Sequence, residues 1–293
     1  MTNGLVDFVI GGAAKSGTTS LYNYFDAHPK VCMSRLKEPN YFSMHYDKGS
    51  DWYEEKYNHC RETRIRGEAS ISYLEFAERT APRLRQDVPG VQLLFVLRDP
   101  VERAWSDYWY SVRQGRVEHR DGLFGDLIRK EVSVPSYHHP ERDTGELILR
   151  KGKYYDALTT YYEYFDSDQI KVLLTKDLSE EAFKEACTFL DIQPASEGRK
   201  RKDNTGKYPA NRIVYRLYRA AGTAAREVLP ERVHQQLSGI KESITAWVFQ
   251  QEERPPMDPS DRQYLRELYR EQNRGLEELL GRDLSEWSIR IDG

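Results

Sequence analysis

The stretch FVIGGAAKSGTTSLYNYF, Phe8 to Phe25, limits the possible fold more than any other part of the chain. Phe8 to Gly12 is a short apolar run ending in glycines, the pattern of a buried strand entering a turn. From Thr18 to Ala27 the apolar residues Leu21, Tyr22 and Phe25 recur at helical spacing, and His28-Pro29 ends the helix. Strand, glycine loop and helix start in this order set backbone N–H groups and the positive end of a helix dipole at the loop, which suits an anion. Gly12 and Gly17 are spaced as in a Walker A loop, G-x-x-x-x-G-K-[ST]. Yet Thr18 follows Gly17, and the loop lysine, Lys15, lies between the glycines. The loop invites an anion, but not in the manner of an ATPase.

A second unit of the same kind follows. Val91 to Leu97 is a continuous apolar run, so a buried strand. Arg98-Asp99-Pro100 stops it, and Pro100 suits the first turn of a helix. Val101, Ala104, Trp105, Tyr108 and Val112 form one apolar stripe of that helix, which makes Trp105 and Tyr108 core residues. Arg103, Ser106 and Tyr110 fall on its other side. A helix over KYYDALTTYYEYF, a strand over Ile170 to Leu174 and an amphipathic helix over EEAFKEACTFLDI continue the alternation. Buried strands alternating with helices predict an α/β fold of P-loop-like, three-layer type: a central parallel sheet, helices on both faces and a helical C-terminal part. Residues 1–293 read as one domain, with a helix over Ser260 to Leu280. Gly115 to Lys151 reads as a polar, irregular surface insertion with an amphipathic patch at Leu123 to Ile128. Arg199 to Arg219 is a strongly basic run.

Composition narrows the function classes. A net charge of −3 gives no general drive toward nucleic acid or membrane. No apolar run is long enough to span a bilayer, and the N-terminus has neither the basic region nor the cleavage site of a secretory signal. The chain is therefore expected in the cytoplasm, without stable membrane insertion. Cys32, Cys60 and Cys187 are widely spaced and read as buried free thiols. His138 and His139 have no ligand-spaced partners, so no metal is expected.

The loop with Lys15, the strand end with Arg98 and the helix with Ser106, in this order, resemble the nucleotide site of the sulfotransferases that use 3′-phosphoadenosine 5′-phosphosulfate (PAPS). GAAKSGTTSL is similar to the family's 5′-phosphosulfate loop and LRDPVERAWSDY to its 3′-phosphate motif. KEPNYF (Lys37 to Phe42), GEASISYL (Gly67 to Leu74), RKGKYYDAL (Arg150 to Leu158) and the segment ending in LSEW extend the resemblance over nearly the whole chain. The pattern is nearest to the bacterial and heparan-type carbohydrate enzymes. The R-K-G-x-x-G signature of the phenol and steroid enzymes is absent.

The resemblance implies specific roles. Lys15 would reach the oxygen bridging sulfur and phosphorus, where charge develops as the bond breaks. Ser16, Gly17, Thr18, Thr19 and Ser20 would hold the 5′-phosphate, and Arg98 and Ser106 the 3′-phosphate, which distinguishes PAPS from ATP. Gly206 and Lys207 would lie in a basic lid near the donor. Glu38 would take the acceptor hydroxyl proton, with His45 or Glu68 as substitutes. Glu38 can equally be a turn residue before Pro39, and Glu68 and Ser70 can be structural. Heparan-type enzymes carry a lysine where this chain has Ala69, which sets it apart from the glycosaminoglycan enzymes there. The donor is expected to leave as PAP, and the acceptor to be a hydroxyl of a glycan, glycolipid or natural product. A P-loop kinase would need a lysine after Gly17 and an acid for Mg²⁺. A non-catalytic nucleotide-binding protein is the remaining alternative, and a nucleic-acid reader is suggested only by the basic run.

Overall fold

A computed structural model describes residues 5–61, 64–114, 116–136, 143–194 and 255–288. Phe8–Gly12 forms β1 and Thr18–Asp26 forms α1, followed by Val31–Met33 (β2). Tyr41–Met44 (α2) and Gly49–Glu54 (α3) lead to Ile65–Ala69 (β3), Ser72–Glu75 (α4) and Ala77–Asp87 (α5). Gln92–Leu97 (β4) then enters Pro100–Arg113 (α6), which is capped by the Asp99 carboxylate accepting from Val101 N and Glu102 N. Leu123–Ile128 (α7), Thr144–Arg150 (α8) and Tyr154–Tyr164 (α9) precede Ile170–Leu174 (β5) and Glu180–Phe189 (α10). Pro259–Gln272 (α11) and Leu276–Leu280 (α12) close the described part.

The five strands form one parallel sheet in the order β2-β3-β1-β4-β5. After β1 the chain goes to the edge with β2 and returns with β3 to lie beside β1, then crosses to the other side of β1 for β4 and β5. The ends of β1 and β4 therefore meet at the switch point, where open α/β sheets bind ligands. Side chains alternate between two cores. Val9, Phe95, Leu97 and Val172 face the larger one, with residues of α5, α6, α9 and α11. Phe8, Ile10, Leu94, Val96 and Leu173 face the other, against Leu21 and Phe25 of α1 and Ala186 and Cys187 of α10. The expected three-layer α/β architecture is what the chain adopts. Among the described residues no helix is long and apolar enough to cross a membrane.

Four local expectations are corrected. The segment read as irregular from Gly115 to Lys151 contains two helices, and Leu123, Phe124, Leu127, Ile128, Ile148 and Leu149 are buried in the larger core. The helix expected over Ser260 to Leu280 breaks at Asn273, whose buried amide is drawn off to accept from Tyr154 N and donate to Gly152 O. Arg103, read as facing away from the core, is fully buried. It bonds Asp107 at 3.2 Å and also the Ile148 carbonyl oxygen. The cysteines are not three free thiols. Cys32 of β2 is disulfide-bonded to Cys60, with Cα atoms 5.7 Å apart, and only Cys187 is free and buried. A separation of 28 residues conceals that pairing from the sequence, because the intervening chain folds back along β2. His59 Nε2 lies 3.6 Å from Cys32 Sγ. Among the described residues, Cys32, His59 and Cys60 form the one group of possible metal donors, and its two sulfurs are joined to each other.

Candidate active site

The loop between β1 and α1 is held in a conformation that few residues tolerate. Lys15 lies in the left-handed region (φ 66°), as does Gly17 (φ 103°), and a Cβ on Gly17 would stand 2.4 Å from Leu178 Cδ1. Glycine is required there on both counts. Gly17 caps α1 with no side chain supplying the cap, so the helix start faces the loop through its backbone. Thr175 Oγ1, just past β5, is 2.6 Å from Ser16 O and 3.0 Å from Leu97 O, tying the loop to the ends of β4 and β5. The Ser16 hydroxyl is buried and has no hydrogen-bond partner among the described residues. A buried polar group without a partner costs about 1–3 kcal/mol, so it marks a place where a ligand oxygen would be welcome. Thr18 is buried, and Thr19 and Ser20 are half-buried. The Ser20 N–H donates to Gly17 O at 2.9 Å, within the first turn of α1.

Arg98 comes off β4 directly beneath this loop and donates to Lys15 O at 3.3 Å. Its own carbonyl accepts from Tyr154 OH at 2.9 Å. Asp99 is fully occupied: one oxygen caps α6 and the other accepts from Ser288 N at 2.6 Å. On α6, Ser106 and Tyr110 stand one turn apart on one face. Ser106 is buried, and the Lys15 ammonium lies 3.9 Å from the centroid of the Tyr110 ring. Arg113 and Arg116 also approach that ring, at 5.8 and 5.4 Å. Behind Lys15, Asp107 is bonded to Arg103 and Lys151, both at 3.2 Å. Burial alone would raise the Asp107 carboxyl. Lys151 and Arg103, with Lys15 farther off, outweigh burial and hold it below the usual carboxylate range.

The second half of the site lies between β2 and α2. Lys37 Nζ donates to Thr19 Oγ1 at 2.8 Å and sits 3.5 Å from Glu38 Oε1. The Glu38 side chain is 34 % exposed, enough to meet a solvent-borne acceptor. Asn40 follows in the left-handed region (φ 52°). Its side chain donates to Glu38 O at 3.0 Å and its Oδ1 accepts from Ser72 Oγ at 2.6 Å. Glu68 is placed quite differently. It is fully buried and accepts from Tyr73 OH (2.7 Å), Tyr53 OH (2.9 Å) and Ser70 Oγ (2.9 Å). Burial pushes its carboxyl up to about 7 against those three bonds. A carboxylate sealed in this way cannot reach an acceptor, so it is no substitute base. His45 packs edge-on against Trp52 at 5.7 Å, and burial, then Lys48, lower its pKa.

The fold thus joins residues far apart in sequence. Lys15 and Arg98 are linked directly, Glu38 reaches the loop through Lys37 and Thr19, and Ser106 lies one turn from the ring that Lys15 covers. Gly206 and Lys207 lie outside the described residues. The sequence assigned no role to Tyr110, Lys37, Asp107 or Lys151. Lys37, Asp107 and Lys151 lie inside the family-like motifs, but nothing local signalled their partners.

Comparison with known proteins follows the same lines. The chain is similar, at 35% identity over 136 residues, to the membrane-associated sulfotransferase kil1 of Dictyostelium discoideum, covering 44% of this chain and 29% of that protein. It is 38% identical over 101 residues to heparan sulfate glucosamine 3-O-sulfotransferase 3B1 of Homo sapiens, covering 34% and 25% respectively. The chain therefore matches less than a third of the length of these relatives. A sulfotransferase crystal structure from Alicyclobacillus acidocaldarius superposes with a TM-score of 0.69 at 22% identity, covering 96% of this chain and 98% of that one, which establishes a shared fold. The sulfotransferase domain model matches residues 5–276, and the chain belongs to that family.

Proposed function

We propose that the chain is an enzyme that moves a sulfuryl group from PAPS to a hydroxyl of a glycan, glycolipid or natural product. The observation that carries this reading is the bonded run Thr19, Lys37, Glu38, which sets a carboxylate at the mouth of an anion-binding loop. A phosphosulfate suits the donors present. The Ser16 hydroxyl, without a partner among the described residues, the backbone at Gly17 and Thr18 and the hydroxyls of Thr19 and Ser20 would hold the 5′-phosphate. Arg98 and Ser106 would hold the 3′-phosphate.

Such a transfer rests mainly on position and charge. The acceptor oxygen bonds to sulfur while the sulfur–oxygen bond to the 5′-phosphate breaks, and that oxygen keeps the electron pair. Lys15 neutralises the charge left there, and Glu38 takes the acceptor proton as the new bond forms. Lys37 keeps the Glu38 carboxylate beside the loop. The names of the human relatives point to carbohydrate acceptors, which fits a base half-open to solvent.

The test is transfer of labelled sulfate from PAPS to a panel of glycans, glycolipids and cell extracts, with mass spectrometry of the product. One acceptor class should become labelled as PAP is released in equal amount. PAP binding without transfer to any acceptor would replace this reading with that of a nucleotide-binding protein.

A further inference from the structure

Glu68 is a buried carboxylate to which the proposed chemistry assigns nothing. Its hydrogen bonds, however, run in one direction. Ser70 Oγ donates to Glu68 Oε2 at 2.9 Å and accepts from Asn40 N at 3.0 Å. Tyr73 OH donates to Glu68 Oε1 at 2.7 Å and accepts from Phe42 N at 3.2 Å. A hydroxyl has one hydrogen, so the carboxylate dictates where each hydroxyl points. Each hydroxyl then offers its lone pairs to a main-chain N–H of the segment that carries Glu38. Tyr53 OH, at 2.9 Å, holds the carboxylate from the far side.

We infer that Glu68 is a positioning residue: through Ser70 and Tyr73 its carboxylate fixes the backbone at Asn40 and Phe42, and with it the place of Glu38 beside the glycine loop. The inference rests on the reading of Glu38 as the base. Asn40 transmits the setting, since its N–H is held by Ser70 while its side chain holds Glu38 O. Packing alone would not need a charge here. A buried carboxylate is costly unless several donors satisfy it, and two of the three donors are spent on this one segment.

The arrangement is sensitive to protonation. Oε1 already takes two O–H donors, so an added proton goes to Oε2 and reverses the bond to Ser70. Ser70 would then accept from Glu68, and its own hydrogen would compete for the side that faces Asn40 N–H. The titratable groups around Glu68 are Tyr53 of α3, Tyr57, Tyr73 of α4 and Tyr161 of α9, all raised by burial first and then by the Glu68 charge. They stay neutral while Glu68 changes state. Arg66, on the same strand, lies over the Tyr57 ring at 5.6 Å.

Backbone amide exchange resolved by NMR, corrected for intrinsic rates, tests this without any acceptor. In the intact chain, protection at Asn40 and Phe42 should fall as pH drops from about 8 to about 6, in line with a carboxyl near 7. Glu68→Gln should exchange roughly tenfold faster at both amides at pH 8 and show no such pH dependence. Its PAP affinity should be unchanged while kcat drops with the acceptor found by the sulfate panel. Equal protection in Glu68→Gln and the unaltered chain would overturn the inference. If Glu68→Gln does not fold, Ser70→Ala and Tyr73→Phe decide: the first should release Asn40 alone and the second Phe42 alone, and no change in either overturns it. Glu38→Gln with unchanged turnover would remove the base reading while leaving the exchange results in force.

Discussion

The Arg98 guanidinium donates to the Lys15 carbonyl oxygen at 3.3 Å, so the end of β4 holds the backbone of the loop that follows β1. The two cations assigned to the 3′-phosphate and to the reacting end of the donor are thereby one mechanical unit. Arg98→Ala should remove a charge-assisted phosphate contact of about 1.5–3 kcal/mol and most of the preference for PAP over 5′-AMP. Calorimetry with both nucleotides checks this. Equal affinities in the unaltered chain would take away the basis for assigning PAPS.

Lys15 stacked on Tyr110 gives a second prediction. Cation–π contacts are worth about 0.5–2 kcal/mol, so Tyr110→Ala should reduce PAPS affinity by less than about thirtyfold, and Tyr110→Phe should be near neutral. Lys15→Ala should weaken transfer to every acceptor and loosen the donor as well. Single-turnover rates measured with two unrelated acceptors distinguish this general loss from an acceptor-specific one.

Glu38→Gln keeps the shape and hydrogen-bonding capacity of the side chain. PAP affinity should stay the same while turnover falls by roughly 10²–10⁴-fold, the range for a lost general base. The loss should shrink for acceptors with an already acidic hydroxyl. Turnover of sugar hydroxyls at the unaltered rate would make Glu38 a turn residue.

The buried Glu68 also predicts how stability varies with pH. Its carboxyl is raised from 4.5 to about 7 on folding, so the native state favours the protonated form. That contribution is complete below about pH 4.5 and is lost as pH rises through about 7, a change of about 3 kcal/mol. Asp107 has the opposite sign: its lowered pKa stabilises above the usual carboxylate range and is lost only in acid. Urea unfolding at pH 5.5 and 8 should show the unaltered chain less stable at the higher pH and Glu68→Gln with a flatter dependence. A slope that is the same in both would place the titration elsewhere.

What the sequence revealed tracks what a local pattern can encode. β1, β4 and β5 are mostly apolar and mostly buried, interrupted only by Gln92 at the start of β4 and Lys171 in β5, and each was legible. β3 reads IRGEA, and its Arg66, Gly67 and Glu68 look like loop residues. The hydroxyls of Tyr53 in α3, Tyr73 in α4 and Ser70 just past β3 make Glu68 tolerable in a buried strand. β2 is three residues long and carries too little pattern to stand out. Arg103 was misjudged because a charged residue beside an apolar stripe normally faces water, whereas Asp107 and the Ile148 carbonyl receive it inside. The loop, Lys15, Arg98 and Glu38 were legible as motifs. Their links through Lys37, Thr19 and Tyr110 exist only once the strands are paired.

The disulfide has a consequence for the sheet itself. β2 is an edge strand, and an open edge is a template on which another chain can add a strand. Here the edge is short, and Cys32 is tied to Cys60. Just past the strand, Ser34 N–H bonds inward to Gly67 O, while Arg35 N–H bonds to Lys56 O of the returning segment. The covalent link holds that segment where strand addition would begin, so it guards this side of the sheet against self-association.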